Sequence, residues 1–355
     1  MITLASAPAT REAIDTAIDA ALQRLRTRMT PMNGSADALG AAIQRATGGG
    51  KRFRPTLVVA TYETLGAQRD PSAVYAVAAA FELLHSAFVV HDDVIDHDTH
   101  RRGVLNIGGE FRERALVRGA DAAGAALLGD AAGILAGDLL LHEAVRLVAL
   151  ADVTADVRAD LLALVEDAVV ISAVGELADV ENAVVSDSVV AAEAILLATA
   201  NKTAVYSFSA PLEAGAVLAG ARPDVRLALR HFGHRLGLAY QLVDDLIGAF
   251  GPAELAGKDA GGDLREAKRT PLIALARESD HWPEVSDALA HAHTGPVAVR
   301  AAQRALAASG ARQRMELLVG ETLDEACGLV ERSVLPEAGR VMLLDLVEAV
   351  RERVP

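Results

Sequence analysis

Apolar residues recur at intervals of three and four along almost the whole chain, and polar residues fill the positions between them. This spacing predicts helices over 10–28, 36–46, 54–67, 72–97, 110–129, 130–149, 153–173 and 188–202. Further helices are predicted over 203–220, 223–249, 270–277, 298–309, 312–332 and 337–352. No stretch of alternating Val, Ile or Thr predicts a strand. The breaks fall at the glycines of 48–50, at "RDP" 69–71, at "RRG" 101–103 and at "GPAELAGKDAGGD" 251–263. The last is long for a loop inside a compact domain and carries basic residues, which marks it as a functional segment. With no linker rich in Pro or Ser, the expectation is one all-α domain over residues 1–355.

Composition narrows the function classes. Hydrophobic residues make up 52% of the chain, mostly Ala, Leu and Val, which suits closely packed helices. The formal net charge of −14 argues against nucleic acid as a partner, because nucleic-acid binders carry basic surfaces. A lone cysteine, Cys327, excludes an intrachain disulfide and fits a reducing compartment. The first residues lack a basic segment followed by an apolar core, and no uncharged apolar run approaches the roughly 18 residues of a membrane span. A cytoplasmic protein with no membrane span is expected.

Against that background the charged clusters stand out. In "HDDVIDHDTHRRG", 91–103, Asp92 and Asp96 are four residues apart and share one helix face, at the end of the apolar stretch "AVAAAFELLHSAFVV". Like charges so placed repel, so the pair is either a solvated helix end or an oxygen-ligand site for Mg2+, which bridges one or two carboxylates to substrate phosphates. A second pair, Asp244 and Asp245 in "GLAYQLVDDLIGAFG", also follows an apolar helix, with Gln241 one turn below. Two such pairs favour a metal platform. "ELLH" 82–85 has the Glu-x-x-His spacing of di-iron bundles, but its only counterpart, "ESDH" 278–281, lacks an apolar face. The histidines have Asp rather than Cys neighbours and no HExxH occurs, so zinc is set aside.

The basic counterpart is "GGGKRFRP", 48–55. Its glycines allow close backbone approach to an anion, Lys51 offers a point charge and Arg54 a bidentate grip, at the start of a helix. Arg101 and Arg102 follow the first acidic pair and either neutralise it or hold a phosphate. Lys202 and Thr203 add an anion contact at a helix break. Two acidic sites and several basic ones suit a reaction between two diphosphates.

In this order "GGGKRFRP", "ELLHSAFVVHDDVIDHDTHRRG", "LAGDLLL", "NKTAVYSFSAP", "GLAYQLVDDLIGAFG" and "GKDAGGDLREAKRTPLIAL" resemble the trans-isoprenyl diphosphate synthases, or polyprenyl synthetases. The motif-bearing core spans about 48–275, and the helices of about 280–355 carry no motif. The resemblance implies a single-domain helical bundle of the isoprenoid synthase type around a deep central cavity, as a homodimer. It implies Mg2+-dependent head-to-tail condensation of isopentenyl diphosphate with an allylic diphosphate. On this resemblance Asp92 and Asp96 ligate Mg2+, Asp93 completes the first motif, and Asp244 ligates a further Mg2+. Arg101, Lys202 and Lys258 would hold the allylic diphosphate with Gln241 nearby. Lys51, Arg54, His85 and Arg102 would hold isopentenyl diphosphate. Carbonyl and hydroxyl dipoles near Lys202, Thr203 and Gln241 would stabilise the carbocation.

One position departs from the family. The second motif is usually Asp-Asp-x-x-Asp, whereas here it reads "DDLIG", with Gly248 last. Phe88 lies one turn, about 5.4 Å, below Asp92 on the same face, and Ala87 is small where many members carry an aromatic. A floor at Phe88 suggests a short product, C20 geranylgeranyl diphosphate ahead of C15 farnesyl diphosphate. A class I terpene cyclase would need a second motif that is absent here. A non-catalytic subunit of a heteromeric synthase typically loses acidic residues, and only position 248 is altered.

Overall fold

The structure, a computed structural model, describes residues 7–66, 72–184, 191–252, 261–266 and 268–355. Its fold is all-α, and the chain divides into two compact units.

The first unit comprises Thr3–Val165 and Ala214–Gly220. Helices α1 (Pro8–Met29), α2 (Gly34–Thr47) and α3 (Phe53–Thr64) lead into α4 (Ser72–Ile95). A two-stranded ribbon, β1 (His100–Arg101) and β2 (Val104–Leu105), precedes α5 (Ile107–Val117), α6 (Ala122–Ala149) and the start of α7 (Ala155–Val184). Helix α4 is the hub and packs on α1, α3 and α6. Every residue from Val77 to Leu84 is buried, so this helix is enclosed on all sides there rather than on one stripe. Its close approach to α6 depends on Gly137, where a Cβ would overlap the His91 imidazole. His91 Nε2 lies 3.3 Å from the Ile134 carbonyl oxygen and 3.4 Å from the Asp138 carboxylate. The small residue in "LAGDLLL" is thus a packing requirement at the acidic end of α4.

By length and composition α4 and α6 could each cross a membrane, but 61% of the most apolar window of α4 is buried inside the protein. That of α6 is 39% buried, because Leu127, Ile134 and Leu135 lie on an exposed face.

The second unit is built mainly of Glu166–Glu213 and Ala221–Pro355. It contains the rest of α7, then α8 (Ala192–Ala204), a π-helical turn (Val205–Ser209) and the start of α9 (Ala210–Leu218). Next come α10 (Pro223–Phe250), α11 (Gly262–Arg265), α12 (Pro271–Arg277), α13 (Trp282–His291), α14 (Pro296–Ala308), α15 (Ala311–Glu331) and α16 (Glu337–Arg351). Here α10 is the hub, packed on α8, the π turn, α15 and α16. Gly233 and Gly237, one turn apart, let it touch the backbone of Ser209 and Ala204.

Several boundaries differ from the periodicity. The ribbon at 100–105 was not expected from the pattern; Arg102 and Gly103 take left-handed φ values of 54° and 78°, which a two-residue hairpin turn requires. The break expected between 129 and 130 lies instead at 118–121, where Gly119 is left-handed and Asp121 caps α6 by accepting from the Gly124 N–H. The break expected at 202–203 is absent, because α8 runs through it to Ala204 and continues into the π turn, a feature common at functional sites. Helix α7 runs on to Val184, and α13 was not among the predicted helices.

A buried ion-pair network fixes the glycine-rich turn. Arg52 adopts φ 51°, a costly left-handed state for a side chain of its size. Its guanidinium donates to Asp15 at 2.8 Å, to the Thr47 carbonyl at 3.0 Å and to Glu82 of α4 at 2.9 Å, and both Arg52 and Glu82 are buried. Arg11 donates to the Gly50 carbonyl at 2.7 Å. Replacing Arg52 by Gln should cost about 3 kcal/mol, because Glu82 would keep its charge in a dry site. Chemical denaturation checks this, and the double variant Arg52→Gln, Glu82→Gln should recover most of the loss.

Candidate active site

The first unit gathers its candidate residues around the C-terminal end of α4. Asp92 is half-buried, Asp93 buried and Asp96 exposed. The Asp96 N–H still donates to the Asp92 carbonyl at 2.8 Å, so the helical register that places both carboxylates on one face persists to the end. Asp93 points elsewhere. Arg101, delivered by the ribbon, donates to its Oδ1 from Nε at 2.8 Å and Nη2 at 2.5 Å, and Nη2 lies 3.6 Å from Asp92. Burial raises the Asp93 pKa, and the Arg101 hydrogen bonds partly offset that rise. Asn106 anchors the return of the ribbon, donating to the Asp98 carbonyl at 2.8 Å while its Oδ1 accepts from the Gly109 N–H.

His85 lies two turns back along α4. Burial holds its pKa well below the usual imidazole value, and the charges of Arg54, Arg101 and Arg102 lower it further. The ring is therefore neutral at neutral pH, able to donate from one nitrogen and accept at the other. These four residues come from three different segments, the first turn of α3, α4 and the ribbon. Arg54 is half-buried, Arg102 is exposed at the ribbon tip, and Lys51 is exposed in the glycine-rich turn. Arg52, adjacent to Lys51, is paired with Asp15 and Glu82. Phe88 is half-buried on the Asp92 face, whereas Ala87 is enclosed.

The second unit carries its own acidic face on α10. Asp244 is half-buried and Asp245 buried. Gln241 donates to Asp245 at 3.2 Å. Burial pushes the Asp245 pKa well above the ordinary carboxylate value, the charge of Asp263 adds to the rise, and Gln241 opposes it. Asp244 is also raised by burial, with Arg353 pulling the other way. Arg353, just beyond α16, pairs with Asp244 and stacks over Tyr240 at 4.5 Å from the ring centroid. Lys202 ends α8 just before the π turn and bonds Glu176 at 3.0 Å and Asp179 at 3.1 Å, both on α7. Thr203 is half-buried beside it. Lys258 lies outside the described residues.

Periodicity and motif reading missed Arg353, Asp263, Glu176 and Asp179. Asp263 falls inside the motif "GKDAGGDLREAKRT" and could have been singled out there; Arg353 has no local signal in "VRERVP". Among the described residues no three His, Cys, Asp or Glu side chains form a ready-made metal cage. The donors present fit a divalent cation of the Mg2+ type all the same, since all are carboxylate oxygens and such ions take one or two carboxylates plus water and phosphate oxygens.

Comparison with known proteins places this geometry. The polyprenyl synthetase family model matches residues 36–306. A (2E,6E)-farnesyl diphosphate synthase of Mycobacterium tuberculosis is 38% identical over 221 residues, which cover 62% of this chain and 55% of that protein. The chain thus spans a little over half the length of that relative. A geranylgeranyl diphosphate synthase of Sulfolobus acidocaldarius is 32% identical over 235 residues, covering 65% of this chain and 64% of its own. Among solved structures, a geranylgeranyl pyrophosphate synthase of Corynebacterium glutamicum, complexed with isoprenyl diphosphate and magnesium, superposes with a TM-score of 0.87 at 26% identity over 97% of this chain and 98% of that one. A polyprenyl synthase of Caulobacter crescentus, complexed with calcium and isoprenyl diphosphate, gives 0.73 at 28% over 97% and 96%. With the family match covering well over half its length, the chain belongs to the polyprenyl synthetase family.

Proposed function

We propose that the protein is a prenyltransferase that condenses isopentenyl diphosphate head-to-tail with an allylic diphosphate, releasing diphosphate and a short product, C20 ahead of C15. The observation that carries this reading is the convergence, within one unit, of Arg54, His85, Arg101 and Arg102, with Arg101 3.6 Å from the Asp92 carboxylate. We also propose that the two units work as one polyprenyl synthetase domain over 1–355. That both acidic pairs serve one diphosphate rests on the family resemblance.

On this reading Asp92 and Asp96 would hold Mg2+, Asp244 would ligate a further Mg2+, and Asp93 fixes Arg101. Bound Mg2+ would supply Lewis-acid stabilisation of the departing diphosphate. The residues of the chain do the rest. Arg101, Lys202 and Lys258 would neutralise the leaving oxygens, and Gln241 donates to Asp245. Lys51, Arg54 and Arg102 grip isopentenyl diphosphate, with neutral His85 as a hydrogen-bonding partner, and hold its double bond near the allylic carbon. Hydroxyl and carbonyl dipoles around Thr203 and the π turn would favour the carbocation. The new C–C bond leaves a cation that loses a proton to the released diphosphate, so no protein base is required.

The C20 product follows from Phe88 on the face of Asp92. The relatives include farnesyl, geranylgeranyl and octaprenyl synthases, so product length has to be measured on this chain. A homodimer is supported by the exposed apolar residues Leu127, Ile134 and Leu135 of α6 and Val117 of α5, which water disfavours.

Full-length protein incubated with isopentenyl diphosphate, C5, C10 or C15 primers and Mg2+ should yield C20 diphosphate by mass spectrometry, and nothing without metal. Asp92→Asn and Asp244→Asn should each lower turnover ~100-fold or more with the fold intact. A cyclised hydrocarbon would replace the synthase reading by a cyclase, and silence without a partner chain would favour a subunit role. Phe88→Ala should move products to C25 and beyond; an unchanged distribution assigns the floor elsewhere. Light scattering should give twice the 37.0 kDa chain mass, and Leu127→Asp with Leu135→Asp should return the monomer.

A further inference from the structure

Between the C-terminal end of α4 and helices α5 and α6 lies a small cavity with room for about one water molecule. Its polar lining is Asp93, Asp98, Arg112 and Asp130, and the rest is apolar or glycine. The turn after α4 closes one side, where the Asp98 N–H donates to the Asp93 carbonyl at 2.9 Å.

The Arg112 side chain lies across Gly129 of α6. A Cβ there would sit 2.4 Å from Arg112 Cγ and 2.9 Å from its Nε, so the glycine is what admits the arginine. The guanidinium ends on Asp130, to which Nη2 donates at 2.7 Å. Its Nε is buried and has no hydrogen-bond partner among the described residues. A buried charged donor left unmet is costly, so an acceptor is called for at this spot. Across the cavity, Asp93 takes two bonds from Arg101 on Oδ1 and one from Asn106. A carboxylate has about four acceptor positions, so one stays open. An unmet donor and an open acceptor thus border the same one-water cavity.

We propose that this cavity holds a single water that accepts from Arg112 Nε and donates to Asp93, and that through it Arg112 is a positioning residue for the first acidic motif. The second hydrogen of the water is left for Asp98 or Asp130. The series Asp130, Arg112, water, Asp93, Arg101 then steadies the ribbon arginine from behind, so that α5 and α6 set where its guanidinium points. This inference rests on the proposed role of Arg101 at the diphosphate.

The test has two arms, both on the full-length protein. A high-resolution crystal structure should show water density within about 3.2 Å of Arg112 Nε and of an Asp93 oxygen. Arg112→Lys keeps a positive charge for Asp130 and removes Nε, so the water should vanish. Calorimetric titration of that variant with inorganic diphosphate in Mg2+ should show affinity lowered ~10-fold, with the thermal midpoint near that of the wild type. Arg112→Met, which keeps the aliphatic stem, takes its place if the lysine variant misfolds. A wild-type cavity without water, wild-type affinity in Arg112→Lys, or lowered affinity with the water still in place each overturns the proposal. Arg101→Gln separates the two readings: lost affinity there with wild-type affinity in Arg112→Lys sinks this inference alone. Unchanged affinity in both variants removes the role of Arg101 as well.

Discussion

Carboxylates at the C-terminal end of a helix are opposed by the helix itself, whose dipole places partial negative charge there. Both hubs of this protein accept that penalty. Asp92 and Asp93 lie in the last turns of α4, and Asp244 and Asp245 in the last turns of α10. The chain answers with its own cations and donors. Arg101 covers Asp93 and reaches Asp92, Arg353 covers Asp244, Gln241 bonds Asp245, and Lys202 bridges Glu176 and Asp179. Much of the charged architecture is a solution to one problem, keeping acids concentrated without an external counter-ion.

That solution has a consequence for binding. Cations that the resemblance assigns to diphosphate, Arg101 and Lys202, rest on carboxylates of the same unit. An anionic ligand arriving alone would have to draw them away from those acids, and a metal arriving alone would meet acids already compensated. On the proposed function, metal and diphosphate arriving together would let carboxylates pass to the metal and arginine or lysine to phosphate with little net charge uncovered, which would couple their binding electrostatically.

The parts of this arrangement legible in the sequence are those that a single segment encodes. The helices follow from apolar spacing, and the motifs around Asp92, Asp244 and Lys51 from residue types a few positions apart. Residues that act over distance were not legible. Arg353 meets an acid 109 positions away, and nothing local in "VRERVP" distinguishes it from solvent-facing charge. The ribbon at 100–105 was missed because two-residue strands have no periodicity; only the left-handed Arg102–Gly103 pair makes it. The break at 118–121 lost to an apolar pattern that ran straight through it, and a capping Asp121 decided the matter. Nothing in "GGGKRFRP" marks Arg52 as a structural residue; its burial beside Glu82, 30 positions away, does.

Gly248 shows most clearly why a motif should be weighed as a volume and a charge rather than as letters. Read along the chain, the glycine removes an acid from the second motif and lowers the expected hold on metal. In three dimensions its missing side chain is the condition for Asp263 to lie against α10, since backbone and carboxylate cannot share that space with a Cβ. Asp263 is held there by its own turn, where Leu264 is buried and Gly261 lies hard against Val299, so the position of this charge depends on the apolar contacts beside it.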